Sequence, residues 1–120
     1  MSNYRKAFDS FDNINFLEEP VGTYSAYHLA IISLLNATKE QHLEIFKYMR
    51  KKDIFVQLHY WPIHLNPYYQ KLGFKLGDYP NAERYGITSF SIPLYTSLDY
   101  EIQQKVISIF KDGLVKIGII

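Results

Sequence analysis

The sequence predicts an α+β fold: a small, mainly antiparallel sheet with helices packed largely on one face. Three observations support this fold class. The chain has 120 residues, enough for one hydrophobic core and too few for a second. Short strand-like apolar runs alternate with amphipathic segments that have helical spacing. No internal repeat and no low-complexity tract interrupt this order, so residues 1–120 are interpreted as a single domain.

The composition narrows the class of protein. Hydrophobic residues make up 48% of the chain and charged residues 21%, as in ordinary globular domains. The formal net charge is +1 and no run of five like charges occurs, so a nucleic-acid partner is not indicated. The chain has no cysteine, which excludes disulfides and thiolate chemistry. With no apolar run long enough to span a membrane and no signal peptide, we expect a cytoplasmic protein.

The first third of the chain predicts a helix, a connection and a strand. Apolar side chains at helical spacing indicate the tail of a helix over Tyr4–Phe11. Asp12–Gly22 has no clean period and is interpreted as a surface connection. Thr23–Leu35 is apolar on both faces, which predicts a central strand that is covered on both sides.

A capping box predicts where the next helix begins. In Thr38-Lys-Glu-Gln41 the threonine oxygen can accept an unpaired backbone N–H while the glutamine reaches back to the cap. The apolar stripe of this helix is assigned to Leu43, Phe46 and Met49, and His42 is expected on its solvated face.

The second half predicts two strands and three helices. Residues 54, 56, 58 and 60 alternate with Phe55, Gln57 and His59, which indicates a strand with one more deeply buried face that Pro62 must end. Short helices are expected at Pro67–Leu72 and from Pro80 to about Tyr85, since each begins with a proline at its first position. The remaining signals are Gly73 and Gly86 as helix stops and a strand at Thr88–Ile92. Asp99 is expected to cap a last helix, whose apolar stripe is Ile102, Val106, Ile109 or Phe110, and Leu114 or Ile117.

The segment His59–Tyr69 is the candidate functional site. Loops that follow strand ends commonly carry binding groups, because a rigid scaffold positions them and the loop leaves them accessible. Here His59 and His64 can donate hydrogen bonds to phosphate or hydroxyl oxygens, and the aromatic rings can stack on a flat ligand. A purely structural, hydrogen-bonded role remains open for each histidine. The aromatic members of the segment are Tyr60, Trp61, Tyr68 and Tyr69.

Three kinds of catalytic site are not supported. A zinc ion could use His59, His64 and His28, but the sequence places no carboxylate near the turn as a further ligand. No serine lies in a nucleophile elbow. The glycines are scattered and form no phosphate-binding loop. We therefore expect no metal and no self-contained nucleotide fold.

At this turn the sequence resembles a known family. HYWPIHLNPYY (residues 59–69), QKLGFKLGDYPNAE (70–83) and SFSIPLY (89–95) resemble the carboxyl-terminal region of the DegT/StrS nucleotide-sugar aminotransferases. Within that family the chain is most similar to enzymes that aminate a UDP-4-keto-6-deoxy-N-acetylhexosamine on the route to pseudaminic acid. Tyr4–Phe8 resembles the end of the long helix that joins the family's two domains. The resemblance covers about residues 4–115.

The resemblance implies a fold-type-I enzyme that uses pyridoxal phosphate (PLP) to transfer an amino group from glutamate to a keto-sugar, as a homodimer. In that family the Schiff-base lysine and the other cofactor-binding residues belong to a large amino-terminal domain, which this chain lacks. The chain therefore corresponds to the small domain, and we expect it to bind no cofactor and to catalyse nothing alone. The residues that the resemblance assigns to the nucleotide-sugar are His59, Tyr60, His64, Tyr68, Tyr69, Phe90 and Ser91.

Three hypotheses follow for the function. The chain could be part of an aminotransferase that works with a separate large-domain chain. It could be a stand-alone module that binds nucleotide-sugars. It could also be a vestigial structural domain that self-associates through the apolar surface meant for the large domain.

Overall fold

The computed structural model describes all of residues 1–120 and has the predicted α+β architecture. A three-stranded antiparallel sheet, in the order β1-β2-β3, combines with five α-helices. The elements are α1 (Ser2–Phe8), β1 (Ile14–Phe16), β2 (Ala30–Leu34), α2 (Lys39–Lys51), α3 (Pro67–Lys71), α4 (Pro80–Thr88), β3 (Ser89–Ile92) and α5 (Tyr100–Lys116). A single 3-10 turn, Ile63–Leu65, lies between α2 and α3. None of the helices is both long and apolar enough to cross a membrane.

The central strand is β2, as predicted, but it is shorter than the predicted Thr23–Leu35. Its Ile32 lies opposite Phe16 of β1 and Phe90 of β3. The residues before it form a loop, in which the Glu19 carboxylate accepts hydrogen bonds from the Ser25 backbone N–H and the Tyr27 hydroxyl. The segment expected to be only a connection contains β1, whose three residues are too few to show a period.

The hydrophobic core lies between the sheet and the helices α1, α2 and α5. Tyr4 and Phe8 of α1 are fully buried, and the Tyr4 hydroxyl donates to the Pro93 carbonyl at 2.8 Å. The ring of Phe110 in α5 packs edge-on against Phe8 and Phe90, with centroid distances of 5.3 and 5.8 Å. These contacts make α1 part of this domain, although its sequence alone is too short for an independent helix.

The capping box of α2 is confirmed, but the buried face of the helix is not the predicted one. The Thr38 side chain accepts from the Gln41 backbone N–H, and the Gln41 side chain accepts from Thr38 N–H. Ile45, Met49 and His42 are buried, whereas Leu43 is exposed. The prediction that His42 is solvated is therefore wrong: its Nε2 lies 3.1 Å from the Ser89 carbonyl oxygen. The sheet selects this face of the helix, and a short amphipathic pattern does not show it.

The burial of His42 predicts a pH-dependent stability. Burial lowers the pKa of His42 below its ordinary value of 6.5, and the hydrogen bond to Ser89 offsets only part of this effect. The unfolded chain then binds a proton more readily than the folded chain. Stability is fully present above pH 6.5 and is lost as the pH falls through the folded pKa. We expect the free energy of unfolding, measured with urea, to decrease between about pH 7.5 and about pH 5.

The variant His42→Gln should flatten this decrease, since glutamine does not titrate. His28→Gln is the matched control, because His28 is exposed. The carboxyl groups with a lowered pKa, Glu19 and Glu83, start from 4.5 and contribute at lower pH. An equal slope in the wild type and in His42→Gln would contradict the assignment.

The predicted strand over Ile54–Tyr60 is an extended segment with one bridge to the sheet. Gln57 and Ser91 exchange backbone hydrogen bonds of 3.2 and 2.8 Å, and no other residue of the segment pairs in this way. Ile54 and Val56 are buried, so the alternation in the sequence correctly indicates one inward face. The pairing of this segment with β3 is therefore limited to Gln57 and ends before Pro62, the residue predicted to end it.

Of the predicted helix ends and caps in the second half of the chain, the end of α4 differs from prediction. α4 does not stop at Gly86 but continues to Thr88. Gly86 is instead a close-contact site: a Cβ atom there would lie 2.8 Å from Cδ of Pro62. The left-handed stop at Gly73 is present, with φ of 99°. Asp99 caps α5 as predicted, its Oδ1 accepting from Ile102 N–H at 2.7 Å, although the Ile102 side chain is exposed.

Candidate functional site

The segment His59–Tyr69 forms a tight turn on the edge of the domain. Buried Pro62 contacts Gly86 of α4 closely, and this contact attaches the turn to that helix. The 3-10 turn Ile63–Leu65 follows, and α3 begins at Pro67. A helix of five residues with no buried side chain cannot hold its own position, so the turn before it and the segment after it must fix α3.

An aromatic groove of about 570 Å³ opens beside this turn. Its wall is made almost entirely of rings and aliphatic groups, and neither a lysine nor an arginine lines it. Such a surface suits the flat, uncharged part of a ligand better than a phosphate group. Its lining residues include His59, Tyr60, Trp61, His64, Tyr69 and Tyr79.

His64 is the most firmly held side chain in the groove. It is 7% exposed, and its Nε2 lies 2.8 Å from Oε1 of Glu83. The ring of Tyr79 stands edge-on to it at 4.9 Å. Burial raises the pKa of the Glu83 carboxyl, but the hydrogen bonds from His64 and from the Gly77 and Tyr79 N–H groups outweigh this and lower the pKa below 4.5.

His59 is held by the sheet rather than by the turn. Its Nε2 lies 2.8 Å from the Ser91 hydroxyl, and Ser91 is in turn paired with Gln57 across the edge of β3. The ring packs edge-on against Tyr60 at 4.9 Å. Its Nδ1 is buried without a hydrogen-bond partner. Buried polar atoms are nearly always paired, so this nitrogen is an exception within the site.

The structure places the seven predicted site residues in three environments. His59, Tyr60, His64 and Tyr69 line the groove, and Ser91 lies behind it as the partner of His59. Tyr68 is 68% exposed and packs only against the edge of Tyr69. Phe90 is fully buried and lies in the core between His42 and Phe110.

Sequence reasoning missed the carboxylate that accompanies His64. Glu83 lies nineteen positions after His64 and only the α4 start brings the two together. A signal existed: Glu83 follows Pro80 in the first turn of a predicted helix, where an acidic side chain can satisfy free backbone N–H groups. The other missed groove residues, Phe74, Tyr79 and Tyr85, come from segments interpreted only as turns and a short helix.

The residues of this chain do not fit a covalent PLP site. Such a site needs a lysine amine desolvated in a cavity that also holds an anchoring group for the phosphate. Nine of the ten lysines are exposed, and the tenth, Lys111, lies over the rings of Phe8 and Phe11 at 5.5 Å. No group of three metal-ligating side chains is present either.

Comparisons with known proteins point to one family. The sequence model of the DegT/DnrJ/EryC1/StrS aminotransferase family matches residues 1–111. The spore coat polysaccharide biosynthesis protein SpsC of Bacillus subtilis is 32% identical over 92 residues, which are 72% of this chain and 23% of SpsC. The dTDP-3-amino-3,4,6-trideoxy-alpha-D-glucose transaminase of Micromonospora megalomicea is 32% identical over 98 residues, which are 80% of this chain and 26% of that enzyme.

Solved structures agree with this match. A Streptococcus pneumoniae protein assigned as a sugar aminotransferase superposes in its apo form with a TM-score of 0.89 at 29% identity, covering 98% of this chain and 29% of that one. The same protein has PLP and PMP forms. Helicobacter pylori PseC, an aminotransferase of pseudoaminic acid biosynthesis, has a TM-score of 0.85 at 23% identity and shares the fold, covering 96% of this chain and 31% of PseC. The chain spans about a quarter of the length of the curated relatives that it matches.

Proposed function

The chain belongs to the DegT/DnrJ/EryC1/StrS aminotransferase family, and from this membership we propose that it is the small domain of a nucleotide-sugar aminotransferase. Its role is to seat the sugar-nucleotide at the mouth of an active site whose cofactor is held by residues outside this chain. The observation that carries the proposal is the groove itself: two oriented histidines and several aromatic rings with no amine for a covalent cofactor.

The chemistry of the groove agrees with a role in substrate binding and not in cofactor binding. Aromatic faces can pack against a sugar ring or a base, and imidazole nitrogens can bond to hydroxyl groups. The family is PLP-dependent, and the Streptococcus pneumoniae relative has both PLP and PMP forms. The transfer of the amino group therefore belongs to the complete enzyme. This chain supplies binding and orientation only.

We also propose the finer assignment that the resemblance implies. The substrate is a UDP-linked 4-keto-6-deoxy-N-acetylhexosamine, the amino donor is glutamate, and the product enters a surface glycan. The motif residues His59–Tyr69 and the shared fold with PseC support this choice. The relative in spore coat polysaccharide biosynthesis supports the wider class.

Binding can be tested without any partner chain. Trp61 is the only tryptophan and lines the groove, so its fluorescence reports directly on ligand entry. We expect a saturable change in Trp61 emission when UDP-N-acetylglucosamine, a stable relative of the proposed substrate, is titrated into the protein. His64→Ala should weaken the affinity about tenfold, since it removes one oriented hydrogen-bonding group from the groove.

Tyr100→Ala is the control, because Tyr100 is exposed at the start of α5 and does not line the groove. It should leave the titration unchanged. A flat titration with the wild type would exclude nucleotide-sugar binding by the chain alone, and with it the hypothesis of a stand-alone module.

A further inference from the structure

One carboxylate oxygen joins two segments beside the aromatic groove by accepting three hydrogen bonds. Oε1 of Glu83 accepts from Nε2 of His64 at 2.8 Å, from the Gly77 backbone N–H at 2.8 Å and from the Tyr79 backbone N–H at 3.3 Å. These donors belong to separate segments, the 3-10 turn and the loop before α4. A single oxygen of Glu83 therefore links His64 to the segment that carries the Tyr79 ring.

The carboxylate also decides which hydrogen the imidazole carries. An ionised carboxylate can only accept hydrogen bonds, so Nε2 of His64 must carry a hydrogen in order to pair with it. In the neutral ring Nδ1 is then the bare nitrogen. The structure gives Nδ1 no hydrogen-bond partner, this atom is not among the fully buried unpaired ones, and the His64 side chain lines the groove.

We propose that Glu83 is the positioning residue of this site: it holds the His64 ring so that Nδ1 faces the ligand as a hydrogen-bond acceptor, and it fixes the Tyr79 wall beside it. The inference rests on the proposed function and deepens it. An acceptor at this position pairs with a donor, so the ligand group that His64 meets is a hydroxyl or an amide N–H of the sugar and not a phosphate oxygen. N-acetylhexosamines carry both kinds of donor.

The tautomer of the His64 imidazole can be measured in the protein without a ligand. In ¹⁵N-edited spectra of the imidazoles, above the range where the ring is protonated, wild-type His64 should show the Nε2–H tautomer. Its signals are assigned by their loss in His64→Gln. The Nδ1–H tautomer in the wild type would overturn the proposal outright.

Two substitutions of Glu83 test whether this residue positions the His64 ring or only stabilises the fold. Glu83→Ala removes the acceptor, and we expect mixed His64 tautomers and about tenfold weaker binding of UDP-N-acetylglucosamine. Glu83→Gln keeps an oxygen that can accept from the same donors, so the Nε2–H tautomer and an affinity within about threefold of the wild type should return. Glu44→Ala, at an exposed carboxylate of α2, is the matched control and should change neither.

Each outcome decides the question. Wild-type tautomer and affinity in Glu83→Ala would overturn the proposal, as would a Glu83→Gln that behaves like Glu83→Ala. If Glu83→Ala fails to fold, as circular dichroism would show, the wild-type spectrum and Glu83→Gln still give the answer. A wild type with the Nε2–H tautomer but no ligand binding would instead reject the proposed function and leave the positioning of His64 standing.

Discussion

Replacing Phe90 by alanine is expected to lower the free energy of unfolding by about 3–5 kcal/mol, the range for a buried phenylalanine. The Phe90 side chain is completely buried, and its ring packs against Phe110 at 5.8 Å, His42 at 5.3 Å and Phe46 at 6.4 Å. Alanine would leave a cavity where the sheet meets α2 and α5. Small domains have a total stability of about 5–15 kcal/mol, so this loss is a large part of it.

Urea unfolding followed by far-ultraviolet circular dichroism measures this effect. Phe55→Ala is the matched control, because Phe55 is exposed, and it should change the stability by less than about 1 kcal/mol. Phe90 is also a predicted substrate-binding residue. If the ligand affinity of Phe90→Ala falls in proportion to its unfolded fraction, the loss results from unfolding and not from a lost contact between Phe90 and the ligand. A stably folded Phe90→Ala with lost affinity would instead support direct contact.

The second large effect concerns activity. The purified chain, given PLP, glutamate and a UDP-4-keto-sugar, is expected to transfer no amino group. The physical reason is that nine of its ten lysines are exposed and the tenth, Lys111, lies over two phenylalanine rings, so no lysine amine has a cavity with an anchor for the cofactor phosphate. Mixing the chain with a separately expressed cofactor-binding region of a family enzyme should give measurable transfer if the chain completes that active site.

Surface lysines react weakly with any aldehyde, so covalent binding must be measured by position. Borohydride reduction followed by peptide mass analysis should find PLP spread in small amounts over several lysines. One lysine carrying the cofactor at a one-to-one ratio, together with transfer by the chain alone, would contradict the assignment of this chain as a small domain. The absence of transfer in the mixture would argue only against assembly from two separate chains.

The sequence could predict much of the fold because several signals are local. The capping box that begins α2 and the prolines that begin α3 and α4 act within four residues, and the structure confirms their positions. Asp99 as the cap of α5 is confirmed for the same reason. The family resemblance, carried by the motif at residues 59–69 and its continuation, is confirmed by the family match over residues 1–111.

The errors share a different cause. β1 is a strand only because β2 lies beside it, and Ile54–Tyr60 fails to become a full strand because the sheet edge offers it one paired residue. The buried face of α2 was misassigned because the sheet, and not the helix itself, determines which side is covered. Gly86 suggested a helix stop, but close contact with Pro62 is what requires a residue without a side chain there.

The sequence by itself determined the family, the fold class, the starts of α2, α3, α4 and α5 and the turn that is proposed as the site, because these signals come from residues that are neighbours in the chain. Only the tertiary structure placed Glu83 against His64 and Ser91 against His59, and buried Phe90 in the core. Those contacts join residues nineteen or more positions apart. The contacts form because burial of the apolar faces of α4, α5 and the sheet brings these segments together. A pattern of neighbouring residues does not predict which distant segments will meet.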